Sequence, residues 1–352
     1  MSWPKGFREA VGTGTHQSGG SEDAEMPSHP VVSVIVPSYN KRPFIGETID
    51  SVLRQKGIEV EVIVVDDGST DGTRRDLEAY GGQVRLRFLE GNSGAACARN
   101  LGAAMARGTH LMFLDADDIL ADEASLDHMV AVLLGRTDRF AACPWERIRL
   151  EDERWVVYSP EKPLDPPGGD PVLAWLGKWY IPPCAILWPR ELFEESGGWD
   201  QELAATDDEE LMIRMLLRGA SIAHASRGKA LYRYFEDGGT LSTTQDPDLA
   251  AGRHLGLKKI EAEMTAQGLL PRYAHALGRR YFSLARTYLE PFPELSVQAL
   301  ADADRLIDHD RIMGSPLHRS LARTLGLERK ERLARWLADW GWARRRSPGS
   351  SP

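Results

Sequence analysis

The feature that most restricts the fold is an alternation of short β-branched runs with helical spacings through the first third of the chain. Val31 to Val36 reads VVSVIV and is ended by Pro37; after Pro43, the residues Ile45, Ile49, Val52 and Leu53 share one helical face; a second run, Val60 to Val65, follows directly. Strand, helix and strand at this spacing make a βαβ unit, which implies a parallel sheet with right-handed crossovers. The pattern continues through a helix near Thr73 to Tyr80, a strand at Val84 to Leu89, a helix at Ala95 to Ala106 and a strand at Leu111 to Leu114. A doubly wound α/β domain is expected, with its ligand beyond the carboxyl ends of the strands.

The loops at those ends carry the chemistry. After Leu114, the carboxylates of Asp115, Asp117 and Asp118 crowd into one bend of LMFLDADDIL. Like charges this close raise one another's pKa, so the cluster needs a cation or a hydrogen-bond donor to compensate it. Oxygen-only ligands suit Mg²⁺ or Mn²⁺ carrying the phosphates of a nucleotide. The competing structural explanation is that Asp117 or Asp118 caps a helix beginning near Asp122. The second strand is followed by Asp66, Asp67, Gly68, Ser69, Thr70, Asp71 and Gly72, and the third by Gly91, Asn92, Ser93 and Gly94 before a helix that carries Arg99 and Asn100. No GxGxxG follows the first strand and no GxxxxGK[ST] occurs, which disfavours a dinucleotide Rossmann domain and a P-loop.

At 352 residues the chain can make one large domain with an appendage, or two domains. Its net charge of -9 argues against a nucleic-acid partner, since phosphate contacts demand a basic face. Cys97, Cys143 and Cys184 have neither metal-site nor disulfide-framework spacing and read as buried thiols in a reducing compartment. Residues 1–29 are rich in Gly, Ser, Thr and Pro without the apolar core of a signal peptide, and read as a disordered leader. No apolar run approaches the roughly 20 residues of a membrane span. A cytoplasmic protein is expected, with room for one that rests on the inner face of the membrane.

Four motifs in order, VIVPSYN at 34–40, VVDDGSTDGT at 64–73, GNSGAACARNLG at 91–102 and FLDADD at 113–118, together resemble the nucleotide-sugar domain of the family 2 glycosyltransferases, over roughly Val31 to Ser242. The resemblance implies the GT-A fold: α/β, Rossmann-like, a mostly parallel sheet flanked by helices, here with a C-terminal helical extension. The implied layout is a glycosyltransferase domain at 30–245, split into a nucleotide-sugar half (30–120) and an acceptor half (121–245), then a helical region at 246–345 and a disordered tail at 346–352. Carried over by position, Pro37, Tyr39, Asp67, Gly94, Arg99, Asp115 and Asp117 would bind the donor: Tyr39 stacks on the base, Asp67 hydrogen-bonds it, usually uracil, and Arg99 steadies the donor. Asp115 and Asp117 resemble the two acids of the DxD pair, and Asp117 or its neighbour Asp118 would ligate the metal on the diphosphate.

Beyond Leu120 the residues predict a helix at Asp122 to Leu134, a strand near Arg139 to Pro144, a polar hairpin at Glu151 to Tyr158, a Pro-rich loop at Pro160 to Pro171 and a strand at Ala185 to Trp188. A second constellation follows: Gly197, Gly198, Trp199, Asp200, then Thr206, Asp207, Asp208, Glu209, Glu210 and Arg214. By residue type alone, Thr206 caps a helix with a favourably acidic first turn, whose core face is Leu211, Met215 and Leu216. In the resembled family a GG(F/W)D turn, a Glu-Asp pair and a helical Arg form the acceptor side, which places Gly198, Trp199, Asp207 and Arg214 there and Asp208 at the catalytic base. Asp207, Glu209 and Glu210 are expected to push the Asp208 pKa up. Two departures from the family stand out. No QxxRW follows, which favours single-sugar transfer over polymerisation, and Tyr234 and Phe235 in LYRYFEDGGTLS (231–242) replace a His often found near the metal.

From Asp248 onward, helices are predicted at Leu255 to Gln267, Arg272 to Leu289, Pro293 to Ile307 and Leu317 to Trp342. The last carries Leu333, Trp336, Leu337 and Trp340 on one face with basic residues elsewhere; packing on the preceding helices is the preferred reading, peripheral membrane contact the alternative. The resemblance therefore implies an inverting, metal-dependent transfer, with Mg²⁺ or Mn²⁺, from a nucleotide-diphospho-sugar, UDP-linked by family habit, to a hydroxyl of a saccharide or lipid-linked acceptor. Two rivals are a catalytically idle binding protein on the same fold, which would want disabled acids, and a nucleotidyltransferase, which would want a basic Gly-rich loop where Pro37 to Pro43 stands despite Lys41 and Arg42.

Overall fold

The computed structural model describes residues 31–159, 163–203, 206–235, 246–307, 324, 326 and 328–330. The predicted leader, the tail, most of the Leu317 to Trp342 helix and residues 236–242 lie outside them. In chain order the elements are β1 (Val32–Ser38), α1 (Ile45–Leu53), β2 (Val60–Asp66), α2 (Thr73–Glu78), β3 (Arg85–Phe88), α3 (Ala95–Met105), β4 (His110–Phe113), β5 (Ile119–Leu120), α4 (Ser125–Leu133), β6 (Arg139–Ala142), β7 (Trp145–Glu151), β8 (Arg154–Ser159), α5 (Pro171–Leu176), β9 (Ile186–Pro189), α6 (Arg190–Ser196), α7 (Asp207–Leu217), β10 (Ser221–His224), β11 (Ala230–Tyr234), α8 (Pro247–Ala266), α9 (Leu270–Thr287) and α10 (Pro293–Leu306). They fall into two compact units, the first holding the chain to Asp165 with Ile181–Gln201 and Gly219–Glu236, the second holding Pro166–Tyr180, Glu202–Arg218 and the chain from Asp237.

The first unit contains every described strand. Seven form one sheet in the order β10-β6-β9-β4-β1-β2-β3, parallel throughout except for β9, which runs antiparallel to both β4 and β6. Both faces of β1 are buried, which is why its residues read as a continuous β-branched run rather than an alternation. At Gly102 on α3, an added Cβ would come within 2.3 Å of Ile35 Cγ2, so only a residue without a side chain lets α3 lie this close to β1.

Two local expectations are corrected. The first strand does not stop at Val36 but continues through Pro37 to Ser38, in register with Asp66 on β2. Leu53 is 40% exposed rather than on the core face of α1; Thr48 is buried instead, its hydroxyl donating to the Ala116 carbonyl at 2.9 Å. That bond satisfies a hydroxyl which would otherwise be costly to bury. A four-stranded sheet, β5-β11-β7-β8, is the unit's second sheet, and the predicted hairpin begins earlier, at Trp145, because β7 also pairs with β11.

The second unit is helical: α5, α7, α8, α9 and α10. Helix α8 starts well before the predicted Leu255, because Asp246 accepts the amides of Asp248 and Leu249 and Pro247 occupies the first turn, where its missing N–H costs nothing. Leu257, Ile260, Met264, Leu277, Tyr281 and Leu300 are buried. No described helix is long and apolar enough to cross a membrane.

Candidate functional site

The acids of the first unit stand where the β1–β4 ladder is cut. Leu114 N–H donates to the Ile35 carbonyl at 2.9 Å, and Pro37, two residues on and facing the same neighbour, has no N–H to carry the ladder further. The chain is thereby released into a tight bend closed by the Asp118 amide on the Asp115 carbonyl, also at 2.9 Å. The helix-cap explanation fails on geometry. After Asp118 comes β5, and α4 starts only at Ser125, where the turn is made by Asp122 accepting the Ala124 amide at 2.8 Å.

Each of the three acids has its own partner. Asp115 accepts from Arg99 at 2.7 Å, and the Arg99 guanidinium lies 4.4 Å over the centroid of the buried Trp199 ring. Asp117 pairs with the Lys41 ammonium at 2.5 Å. Asp118 is buried and accepts the Arg233 amide at 3.0 Å, and burial, then the charges of Asp117 and Asp115, push its carboxyl well above the ordinary carboxylate range. Behind the bend the buried Arg233 guanidinium donates to the Asp117 carbonyl at 2.8 Å, pairs with Glu47, and lies beside the Phe44 and Trp155 rings, 5.3 and 4.8 Å from their centroids. Lys41, Glu47 and Arg233 carry no site motif; the sequence signal for the two cations is only that the Pro37 to Pro43 loop and the 231–242 stretch hold basic residues.

The neighbouring loops are tied to one another by side chains. Asp67 is buried and accepts the amides of Ser93 and Gly94, at 2.7 and 2.8 Å, which joins the β2 and β3 loops. Asn40 accepts from the Thr70 amide at 2.8 Å, and Asp71 accepts the Arg42 amide at 3.0 Å, which joins the β1 and β2 loops. Pro37 is buried beneath them, while Tyr39 is 43% exposed. Asn100 binds the GGWD turn, donating to the Trp199 carbonyl at 2.7 Å and accepting its amide at 3.0 Å. Gly198 is required in that turn: its φ is +75° and an added Cβ would sit 2.8 Å from Asn100 Oδ1. Trp199 packs edge-on against Phe113, with ring centroids 5.2 Å apart.

In the second unit, Asp207 and Asp208 open α7, both half-buried. Thr206 takes the N-cap position in a left-handed conformation, φ 63°, and its side chain makes no capping bond, contrary to the expectation from residue type. The two glutamates that follow Asp208 are each paired with an arginine. Glu209 takes Arg280 of α9 through both oxygens at 2.6 Å, and Glu210 takes Arg214 at 2.7 and 2.9 Å. Arg214 thus pairs with Glu210, and Arg280, 71 residues from Glu209, reaches it only through the packing of α9.

Among the described residues, no group of three or more His, Cys, Asp or Glu side chains is arranged to hold a metal ion. The bend nonetheless fits an ion shared with phosphate. Magnesium-type ions are commonly held by one or two carboxylates, with phosphate and water oxygens supplying the rest, and Asp115 and Asp117 are the two acids of the bend that are not fully buried.

Comparison with known proteins gives three findings. The family model described as Glycosyl transferase family 2 matches residues 33–197. The putative teichuronic acid biosynthesis glycosyltransferase TuaG of Bacillus subtilis (strain 168) is 50% identical over 92 residues, 25% of this chain and 36% of that one. Among solved structures, S. aureus TarS 1–349 in complex with UDP-GlcNAc superposes with a TM-score of 0.62 at 22% identity, covering 84% of this chain and 88% of that one. The mannosyltransferase PcManGT from Pyrobaculum calidifontis, in complex with GDP-Man and Mn²⁺, gives a TM-score of 0.50 at 21% identity, over 88% and 84%. The chain spans between 22 and 61% of the length of the curated relatives it matches. The architecture is that of TarS, a mixed α/β fold of the GT-A type followed by the helices α8 to α10.

Proposed function

The chain belongs to glycosyl transferase family 2 through residues 33–197, and from that premise we propose that it moves a single sugar from a nucleotide-diphospho-sugar to a hydroxyl group, with inversion at the anomeric carbon. The observation that carries the reading is the acid bend at the carboxyl end of β4, where Asp115 and Asp117 each hold a cation beside loops built to wrap a ligand. A UDP-linked donor is the reading most in keeping with Tyr39 and Asp67 at the base end and with the likeness to a UDP-GlcNAc complex. The acceptor is a saccharide or a lipid-linked saccharide, in line with the relation to TuaG.

In this reading, Tyr39 covers the base, while Pro37 and Gly94 shape the loops around it. Arg99 holds Asp115 ready for the hydroxyls of the ribose or sugar. Of the adjacent pair, Asp117 would hold the metal, because Asp118 is buried on the Arg233 amide and supports the bend from behind. A bound Mg²⁺ or Mn²⁺ would supply charge neutralisation for the diphosphate. Asp208 accepts the proton of the acceptor hydroxyl as that oxygen attacks the anomeric carbon; the bond to the diphosphate breaks on the opposite face and its electron pair leaves with the phosphate oxygen. Gly198, Trp199, Asp207 and Arg214 belong to the acceptor side. Three free thiols accord with a cytoplasmic enzyme.

Titration calorimetry against UDP, GDP and dTDP, each with Mn²⁺ and with EDTA, tests the proposal. Metal-dependent binding of one nucleotide identifies the donor class. No binding to any of the three returns the chain to the idle-fold reading.

A further inference from the structure

We propose that Lys41 is a ligand of the donor's diphosphate, held on Asp117 until a divalent ion takes that carboxylate; this rests on the donor-site reading above. The three acids of the bend are not held alike. Arg99 on Asp115 is stacked on Trp199 and its side chain is 8% exposed; Asp118 is buried on a backbone amide. Lys41 has a fixed backbone and a loose end. Its carbonyl accepts the amides of Phe44 and Ile45 at 2.9 and 3.0 Å, whereas its side chain is 30% exposed and reaches Asp117 through a single ammonium contact. An ammonium on a four-carbon stem exchanges partners readily, and such a partly exposed pair is worth only about 0–1 kcal/mol.

A divalent ion and an ammonium cannot share one carboxylate oxygen, because both are cations and the ammonium stands 2.5 Å from Asp117 Oδ2. Entry of the ion at Oδ2 therefore expels Lys41. The acids around it already have partners: Asp115 carries Arg99, Glu47 carries Arg233, Asp67 carries two amides, Asp66 binds Ser69, and Asp71 binds Arg42 and Thr73. The Phe235 ring, its centroid 5.6 Å from the ammonium, offers a weak resting place but no negative charge. The anion that arrives with the ion is the diphosphate, and the displaced ammonium moves onto one of its oxygens. Ion alone and nucleotide alone should each bind poorly, and the two together well.

The test uses the whole chain, with free Mn²⁺ followed by its paramagnetic resonance signal and UDP affinity followed by calorimetry, in wild type, Lys41→Met and Lys41→Arg. Lys41→Met should bind Mn²⁺ alone up to about five-fold more tightly and bind UDP in saturating Mn²⁺ about ten-fold or more weakly. Lys41→Arg should keep UDP affinity within a few-fold, since the charge remains. If Lys41→Met weakens Mn²⁺ and UDP in equal proportion, or moves neither while wild type binds both, the role of Lys41 is overturned and the donor site stands. If wild type itself fails to bind UDP with Mn²⁺, the donor-site reading fails and this inference with it.

Discussion

Replacing Arg233 by Met tests whether the acid bend is held from behind. Four contacts are lost. The Asp117 carbonyl loses its 2.8 Å donor, at a cost of about 1–3 kcal/mol for a carbonyl left without one. Each of the two rings, Phe44 and Trp155, loses a cation contact of about 0.5–1 kcal/mol. Glu47 is 62% exposed and returns to water, so its share is about 0–1 kcal/mol. The Arg233 amide still serves Asp118, because it belongs to the backbone. The sum is about 4 kcal/mol, or a fall of roughly 8–16 °C in thermal midpoint for a body of this size. Scanning calorimetry measures the midpoint, and UDP titration below the transition should show a loss of about ten-fold or more as the bend loosens. Arg233→Lys restores a charge but not a planar fork between Glu47 and the carbonyl, and should recover less than half of the loss. A midpoint shift under about 2 °C with donor affinity intact would refute the reasoning.

Three further outcomes are expected. Asp208→Asn should leave UDP affinity within about two-fold of wild type while turnover falls about 10²–10⁴-fold; equal loss of both, by calorimetry and initial rates, removes the base assignment. Gly198→Ala forces a side chain onto Asn100 at positive φ and should cost about 1–3 kcal/mol by chemical denaturation; an unchanged midpoint counts against the Asn100 clasp. Burial alone would raise the pKa of Glu61, but the donors Ser33, Arg107 and Arg85 outweigh it and hold the carboxyl below its ordinary 4.5. A folded-state pKa below the unfolded one gives stability that is full above about pH 4.5 and lost as pH falls through the folded value. The stability gap between wild type and Glu61→Gln should accordingly close in acid, and a gap independent of pH would exclude the linkage.

Much of the architecture could be read from local pattern. The β-branched runs became β1 and β2, the Leu111 to Leu114 run ends in the acid bend, and α9 and α10 fall near their predicted spans. Errors cluster where a neighbour overrode the local signal. Val36 looked like a strand end because Pro37 cannot donate, yet pairing with β2 carries the strand on to Ser38. Thr206 looked like a cap, yet it is left-handed and makes no capping bond.

By itself the sequence determined that a doubly wound sheet would form and that three acids would gather at the end of one strand, because strand period, helix period and turn chemistry are settled within a few residues. Which cation each acid keeps was decided by tertiary structure alone. Lys41 is 76 residues from Asp117 and Arg233 is 115 from Asp118. They meet because β1 lies beside β4, and because β11 pairs with β5, the strand that follows the bend. Strand order is fixed by burial summed over the whole sheet, and no local stretch of residues encodes it.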